Sequence, residues 1–326
     1  MKILITGAAG FLGTMLARAL LNQGTLRGVS LTGVTLTDLV EPRPDLARHP
    51  LVRVVTGDLL DSMDEVLKVE HDAVFHLASA VSGECEANFD LGLRSNLDVT
   101  RALLDGLRAQ HTRTGEIPTF FFSSSVAVFG SDPALPLAGV VHDETLPTPQ
   151  SSYGIHKFNF EQLVADYTRK GYIDGRAARL MTVSVRPGKP NGAASSFLSG
   201  IIREPLAGVA TVCPVELSTE VALSSPARTV EGIIAVAETA RGAFGGRTAL
   251  NLPALTVTVG KMLQALEEVA GKDVARLVTV APDPAIASIV GGWPARFDCQ
   301  RTRHFGLKPD ASYKQIIEQY IHMIRR

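Results

Sequence analysis

A doubly wound α/β fold is what this 326-residue sequence predicts: one parallel sheet between layers of helices, with a smaller mixed α/β lobe toward the C-terminal end. Short β-branched runs alternate with helix-like stretches as far as residue 187, the rhythm that builds a parallel sheet covered on both faces. The first run leads straight into a glycine-rich turn and a helix. After Pro187 the alternation breaks. Residues 1–186 are therefore expected to form the sheet domain and 187–326 mainly the smaller lobe, with 226–259 returning to the sheet.

Composition narrows the class. Hydrophobic residues make up 45% of the chain and charged residues 20%, as in an ordinary globular protein. A net charge of −1 gives no electrostatic footprint for nucleic acid or an anionic membrane. No apolar run reaches the length of a membrane span, and the strand-like Lys2–Ile5 has no signal peptide before it. Cys85, Cys213 and Cys299 are scattered without a C-x-x-C pair. They predict reduced, buried thiols in a cytoplasmic protein and no metal site.

Taken in order, residues 2–6 form the first strand and run into Thr6-Gly7-Ala8-Ala9-Gly10-Phe11-Leu12-Gly13, followed by a helix to about Gly24. Strand, glycine turn and helix N-terminus together cradle a pyrophosphate, because free N–H groups and the helix dipole favour the anion. The spacing of Gly7, Gly10 and Gly13 is G-x-x-G-x-x-G rather than the usual G-x-G-x-x-G. A second strand, about 33–37, ends at Asp38. A carboxylate there accepts hydrogen bonds from the adenosine ribose and repels a ribose phosphate, which favours NAD over NADP, with Arg43 nearby on the other side of that balance.

Strands over 51–55 and 73–77 lead into Gly57-Asp58-Leu59 and Ala78-Ser79, at the sheet edge where open α/β sheets bind ligands. Asp58 is placed to meet an adenine amino group, and small residues at Ala78 and Ser79 let the backbone pass close to a cofactor. His76, inside an apolar strand, reads as a packed core histidine. A helix is expected over about 85–110, with Asn96 midway along it. A fifth strand, 117–122, ends in Ser123-Ser124-Ser125, and 131–150 reads as a surface loop.

The next helix, after Pro149 and a capping Ser151 or Ser152, runs to Lys170-Gly171. Tyr153 and Lys157 are four residues apart on one of its faces. An ammonium beside a phenol favours the phenolate, which predicts a tyrosine pKa lowered toward working pH. A serine at the preceding strand tip completes a proton-handling trio. A sixth strand is expected over 180–185, then helices over 193–206 and 226–241, a strand over 211–215 and a last sheet strand over 249–252.

TGAAGFLG (6–13), Asp38, GDL (57–59), HLAS (76–79), Asn96, SSS (123–125), YGIHK (153–157) and RPG (186–188) together resemble the extended short-chain dehydrogenase/reductases, the NAD-dependent sugar epimerase and dehydratase superfamily. The likeness covers about two thirds of the chain and implies a Rossmann-type domain with NAD as cofactor. It implies cofactor contacts at Gly7, Gly10, Phe11, Leu12, Gly13, Asp38, Asp58, Leu59, Ala78, Asn96, Tyr153, Lys157 and Pro187. It makes Tyr153 the acid/base, Lys157 the ribose binder and pKa modulator, and Ser125 the hydroxyl partner. It also implies a homodimer paired through helices like 85–110 and 153–170. Phe129 departs from the pattern, since many relatives carry Tyr there.

A narrower likeness runs through 81–96, 186–208 and 251–260, which are similar to the sugar-acid dehydrogenase branch of that superfamily, enzymes of D-erythronate oxidation. It implies oxidation of the C2 hydroxyl of a small sugar acid, with hydride passing to NAD. Ser82, Gly83 and Ser195 suit a polyhydroxy substrate alongside Ser125, and Arg186 and Arg203 are both able to clamp its carboxylate. Each arginine has an ordinary alternative as an ion-pair residue. The same constellation also serves nucleotide-sugar epimerases and dehydratases that keep NAD tightly bound, and a non-catalytic NAD-sensing protein on this fold is the third reading.

Overall fold

The computed structural model describes residues 1–137, 139–188 and 193–325; Lys189 to Gly192, which follow the RPG stretch, lie outside them. In chain order the principal elements are β1 (Lys2–Thr6), α1 (Phe11–Gln23), β2 (Gly33–Asp38), β3 (Val52–Thr56), β4 (Ala73–His76), α2 (Val99–Thr114), β5 (Thr119–Ser125), α3 (Ser152–Arg169) and β6 (Asp174–Leu180). They continue with β7 (Thr182–Val183), α4 (Phe197–Leu206), β8 (Glu220–Ser224), α5 (Pro226–Glu238), β9 (Leu250–Asn251), β10 (Leu255–Thr258), α6 (Val259–Ala270) and α7 (Tyr313–Ile324).

The main sheet runs β9-β6-β5-β4-β1-β2-β3, and every pairing in it is parallel. Its strands are buried on both faces, which explains the unbroken Ile3-Leu4-Ile5 of β1. Alternate residues feed separate cores: Ile3, Ile5, Phe75 and Phe121 pack with α1 and α5, whereas Leu4, Val74, Phe120 and Phe122 pack with α2 and α3. The strand order reverses between β1 and β4. That is the switch point at which open sheets of this type hold their ligands.

The C-terminal lobe has its own core. β7, β8 and β10 form a small mixed sheet, and α4, α6 and α7 cover it with Leu198, Ile201, Met262, Leu266, Ile316 and Ile317. The chain between β8 and β10 goes back to the main sheet, where α5 packs against α1 and β9 takes the outer edge beside β6.

Two elements differ from expectation. The sixth sheet strand is Asp174–Leu180, not 180–185; of the expected stretch only Thr182–Val183 is strand, and it belongs to the small sheet. Asp174, Arg176 and Arg179 break the apolar pattern of β6, yet Arg176 is fully buried. Asp174 pairs with it, and its guanidinium carbon stands 4.9 Å from the centre of the Phe244 ring. The expected 85–110 helix is also not continuous. It comprises short helices Ser82–Ala87 and Phe89–Gly92, a π-helical stretch Leu93–Asp98, and then α2. The break falls at Asn88, whose side chain caps the next turn by accepting from Leu91 N–H.

The loop between α1 and β2 is a hairpin, Thr25–Leu26 against Val29–Ser30, turned by Arg27 and Gly28 with φ of 53° and 73°. Among the described residues no helix is long and apolar enough to cross a membrane, and none forms a cluster able to hold a metal ion.

Candidate active site

The glycine turn and the loop after β4 meet at the switch point. Gly7 has φ of +70°, and a Cβ there would stand 2.8 Å from the Ala78 nitrogen. A Cβ on Gly13 would stand 2.1 Å from the Gly7 carbonyl oxygen. Only glycine satisfies both close approaches. Gly10 is the N-cap of α1 and no side chain caps that end, so the amides of Phe11, Leu12 and Gly13 remain available to an anion.

Thr6 ties the turn to the loop by accepting from Ala78 N–H at 3.1 Å and Leu77 N–H at 3.2 Å. Its own hydroxyl then donates to His76 Nδ1 at 2.7 Å, leaving His76 Nε2–H to donate to Thr100 at 2.9 Å and Thr100 to donate to the Asn96 carbonyl at 2.7 Å. Burial holds His76 neutral, pushing its pKa down to about 3.

Asp38 ends β2, with one carboxylate oxygen accepting from Ala9 N–H at 2.9 Å and the other from Leu39 N–H at 2.7 Å. It therefore braces the glycine turn from the neighbouring strand tip. Asp58 accepts from Leu60 N–H at 2.8 Å and lies 3.3 Å from Arg94, at the next strand tip. The Leu59 side chain is core. Asn96 is buried in the π-helical stretch with its amide spent on protein: Ala80 N–H and the Ser79 hydroxyl donate to its oxygen at 2.8 and 3.0 Å, and its nitrogen donates to the Ala80 carbonyl. It holds the loop that carries Ala78.

Tyr153, Lys157 and Ser125 are brought together by α3 and the end of β5. Ser151 caps α3 by accepting from Gly154 N–H. The Ser125 hydroxyl is near enough to the Tyr153 phenol to lower its pKa, and accepts from Ala127 N–H at 3.1 Å. Lys157 Nζ lies 5.4 Å from the centre of the Tyr153 ring and 5.0 Å from that of Phe122. The expected lowering of the tyrosine pKa is overturned. Burial pushes it up to about 12, against the Ser125 hydroxyl and the charge of Arg186, which both lower it. Burial also pulls Lys157 down to about 7. In this pocket desolvation dominates, and the cation that opposes it is Arg186 from the other lobe.

Arg186 is half-buried. Its backbone N–H donates to Ser199 at 3.0 Å and its Nη2 to the Ser195 hydroxyl at 3.0 Å. Among the described residues no carboxylate pairs with it. Arg203, the other predicted clamp, is nearly buried, donates to the Arg186 carbonyl at 2.9 Å and pairs with Glu204 at 2.6 Å. Both of its terminal nitrogens thus bond protein groups, one of them the Arg186 backbone. Pro187 follows Arg186 in the chain, half-buried. Ser82 and Gly83 open a short helix that Glu86 fastens to the start of α3, accepting from Ser152 N–H at 2.8 Å.

Residues 3–220 match the NAD dependent epimerase/dehydratase family. The chain belongs to that family. It is 48% identical to a D-erythronate dehydrogenase of Cupriavidus necator over 98% of both chains, and 39% identical to one of Haemophilus influenzae over 98% of this chain and 99% of that one. A solved structure described as a nucleoside-diphosphate-sugar epimerase from Agrobacterium tumefaciens superposes with a TM-score of 0.90 at 38% identity, covering 99% of this chain and 94% of the other.

As an NAD-dependent dehydrogenase of this family, the protein has a cradle that suits the cofactor: Gly7 and Gly13, where backbone leaves no room for a side chain, an uncapped helix end for the pyrophosphate, and a carboxylate at the second strand tip. Several residues around it were missed in the sequence. Gly154 lets α3 touch the serine turn; the signal was a glycine inside an otherwise helical run. Cys85 and His156 surround Asn96, at 3.3 and 3.5 Å from its nitrogen, behind Tyr153. Glu161 and Arg179 form a buried pair beneath the trio. Nothing in the spacing marks these last four as neighbours.

Proposed function

We propose that the protein oxidises the C2 hydroxyl of a small sugar acid, D-erythronate to 2-dehydro-D-erythronate. The observation that carries this reading is the juxtaposition of the Tyr153–Ser125 pair with Arg186, a guanidinium without a carboxylate partner among the described residues. A hydroxyl next to a carboxylate calls for an acid/base and a cation together. Relatives at 48% and 39% identity that carry the name D-erythronate dehydrogenase support it.

In the proposed mechanism Arg186 and Ser195 hold the substrate carboxylate. Ser125 donates to the oxygen that becomes a carbonyl, and Tyr153 takes the hydroxyl proton. Lys157, against the ring of Tyr153, binds the nicotinamide ribose and favours the ionised phenol. NAD, held by the glycine cradle, would supply the hydride acceptor for C2. Gly7, Gly10 and Gly13 seat the pyrophosphate, Asp38 the adenosine ribose, and Ser82 and Gly83 line the substrate side.

The test is growth of NADH absorbance with purified protein, NAD and D-erythronate, set against four- to six-carbon sugar acids. The likeness to the Agrobacterium tumefaciens structure supports a second reading, a nucleotide-sugar epimerase or dehydratase. Such an enzyme releases no net NADH, so silence across the acids with NAD retained by the protein selects it. We also infer a homodimer through the 82–114 and 152–169 helices, whose surfaces leave Phe89, Leu91, Ile155 and Leu163 exposed.

A further inference from the structure

Beneath the trio lies a charged pair that the proposed chemistry does not use. Glu161 and Arg179 are 2% and 5% exposed. Arg179 grips the carboxylate with two parallel bonds, Nε to Oε1 at 2.8 Å and Nη2 to Oε2 at 2.7 Å. The same Oε1 accepts from the Ser124 hydroxyl at 2.5 Å, and Arg179 Nη1 donates to Asn251 at 3.3 Å. The guanidinium carbon also stands 4.8 Å from the centre of the Phe129 ring.

This one cluster joins four elements of the site. Glu161 lies one turn after Lys157 on the same face of α3. Ser124 precedes Ser125 on β5 and is registered opposite Arg179 on β6. Asn251 belongs to β9 and donates to the His142 carbonyl of the loop over the site. A bidentate pair fixes direction as well as distance. Its charges also cancel locally, so Glu161 does not draw the Lys157 ammonium away from the tyrosine ring.

We infer that the Glu161–Arg179 pair is a positioning strap that sets the register of Ser125, on its strand, against Tyr153 and Lys157 on their helix. The inference rests on the acid/base reading of those three residues. Glu161 and Arg179 touch neither substrate nor cofactor and act through Ser124 and the helix turn that carries Lys157.

The experiment separates positioning from stability. Removing one partner, as in Glu161→Gln, leaves a buried charge uncompensated and lowers the melting temperature, whatever else the pair does. In the double variant Glu161→Met/Arg179→Met no charge is left, and such replacements of a buried pair regain stability. We expect it to melt near the wild type while kcat for D-erythronate stays ~10- to 100-fold down with KM little changed, the loss that misplacement of about 1 Å produces. A double variant with wild-type melting and wild-type kcat overturns the inference and leaves the pair a structural one.

Should the double variant fail to fold, Ser124→Ala cuts only the link to the serine strand. Lowered kcat at unchanged melting temperature supports the strap, and unchanged kcat overturns it. A wild-type protein inert with D-erythronate fails the proposed function instead. The strap is then judged by calorimetric titration of NAD, which needs no substrate: weakened affinity in the stable double variant supports it, and unchanged affinity overturns it.

Discussion

Gly154 lies so close to Ala127 that a Cβ on it would stand 2.1 Å from the Ala127 carbonyl oxygen. The missing side chain is what allows the first turn of the Tyr153 helix to rest on the turn after Ser125. Gly154→Ala must push these two segments apart, since the clash is with backbone. We expect about 1–3 kcal/mol lower stability by denaturant titration, and a fall in kcat larger than any change in NAD affinity. A variant with wild-type kcat speaks against this contact as the one that sets the Ser125–Tyr153 distance.

Tyr153→Phe keeps the ring and its contact with Lys157 but removes the proton acceptor. Turnover should fall by about 10²- to 10⁴-fold, the usual worth of general acid–base catalysis, with NAD binding retained. Because burial pushes the phenol up to about 12, the ionised form grows as pH rises. In the wild type, kcat/KM for oxidation should therefore rise above pH 7, less steeply than a lone phenol gives because Lys157 loses its charge from about 7 upward, and in Tyr153→Phe this rise should vanish.

The two arginines predict different phenotypes. Arg186→Met should raise KM for a sugar acid by about 10- to 100-fold, the worth of a charge-assisted pair, and leave NAD affinity unchanged. Arg203 instead supports the Arg186 carbonyl and pairs with Glu204. Its variant should show first as a lower melting temperature. Equal KM effects from both would make Arg203 a direct ligand.

Asp38→Ala removes the acceptor for Ala9 N–H and the charge that repels a ribose phosphate. The ratio of kcat/KM with NAD to that with NADP should drop, mainly through weaker NAD use. Steady-state kinetics with both cofactors decides it, and an unchanged ratio removes Asp38 from the ribose site.

Acid should unfold the protein through two buried histidines. Burial lowers His71 to about 4 and His76 to about 3, from about 6.5 in the unfolded chain. Both folded values lie below the unfolded one, so between these limits the unfolded chain binds more protons and stability rises with pH. The stabilisation is fully present above about pH 6.5 and is lost as pH falls toward 4, at up to about 1.4 kcal/mol per pH unit for each histidine. Urea titrations at pH 7 and pH 5 should show this loss, reduced in a His71→Gln variant.

The fold was legible where the chain obeys simple periodicities. Ile3-Leu4-Ile5 followed by Gly7 announces a buried parallel strand and its turn, and the four-residue step from Tyr153 to Lys157 survives intact in α3. β6 was not legible, because Arg176 and Arg179 read as surface residues until Asp174 and Glu161 are known to neutralise them in space. The tyrosine pKa failed for a related reason. A spacing of four shows that Lys157 is near, but the cost of taking both groups out of water depends on everything packed around them. The different surroundings of Arg186 and Arg203 were likewise not legible, since the pairing of Arg203 with Glu204 shows only in space.

β6 leaves the main sheet at Leu180, the residue registered against Ser125, and by Thr182 the chain has joined the small sheet. The proposed carboxylate clamp, Arg186, thus follows closely on the strand end that pairs with Ser125. Grafting the C-terminal lobe of a relative onto this sheet will transplant a new substrate preference cleanly only if the junction is cut before Leu180, so that the strand end and the arginine travel together.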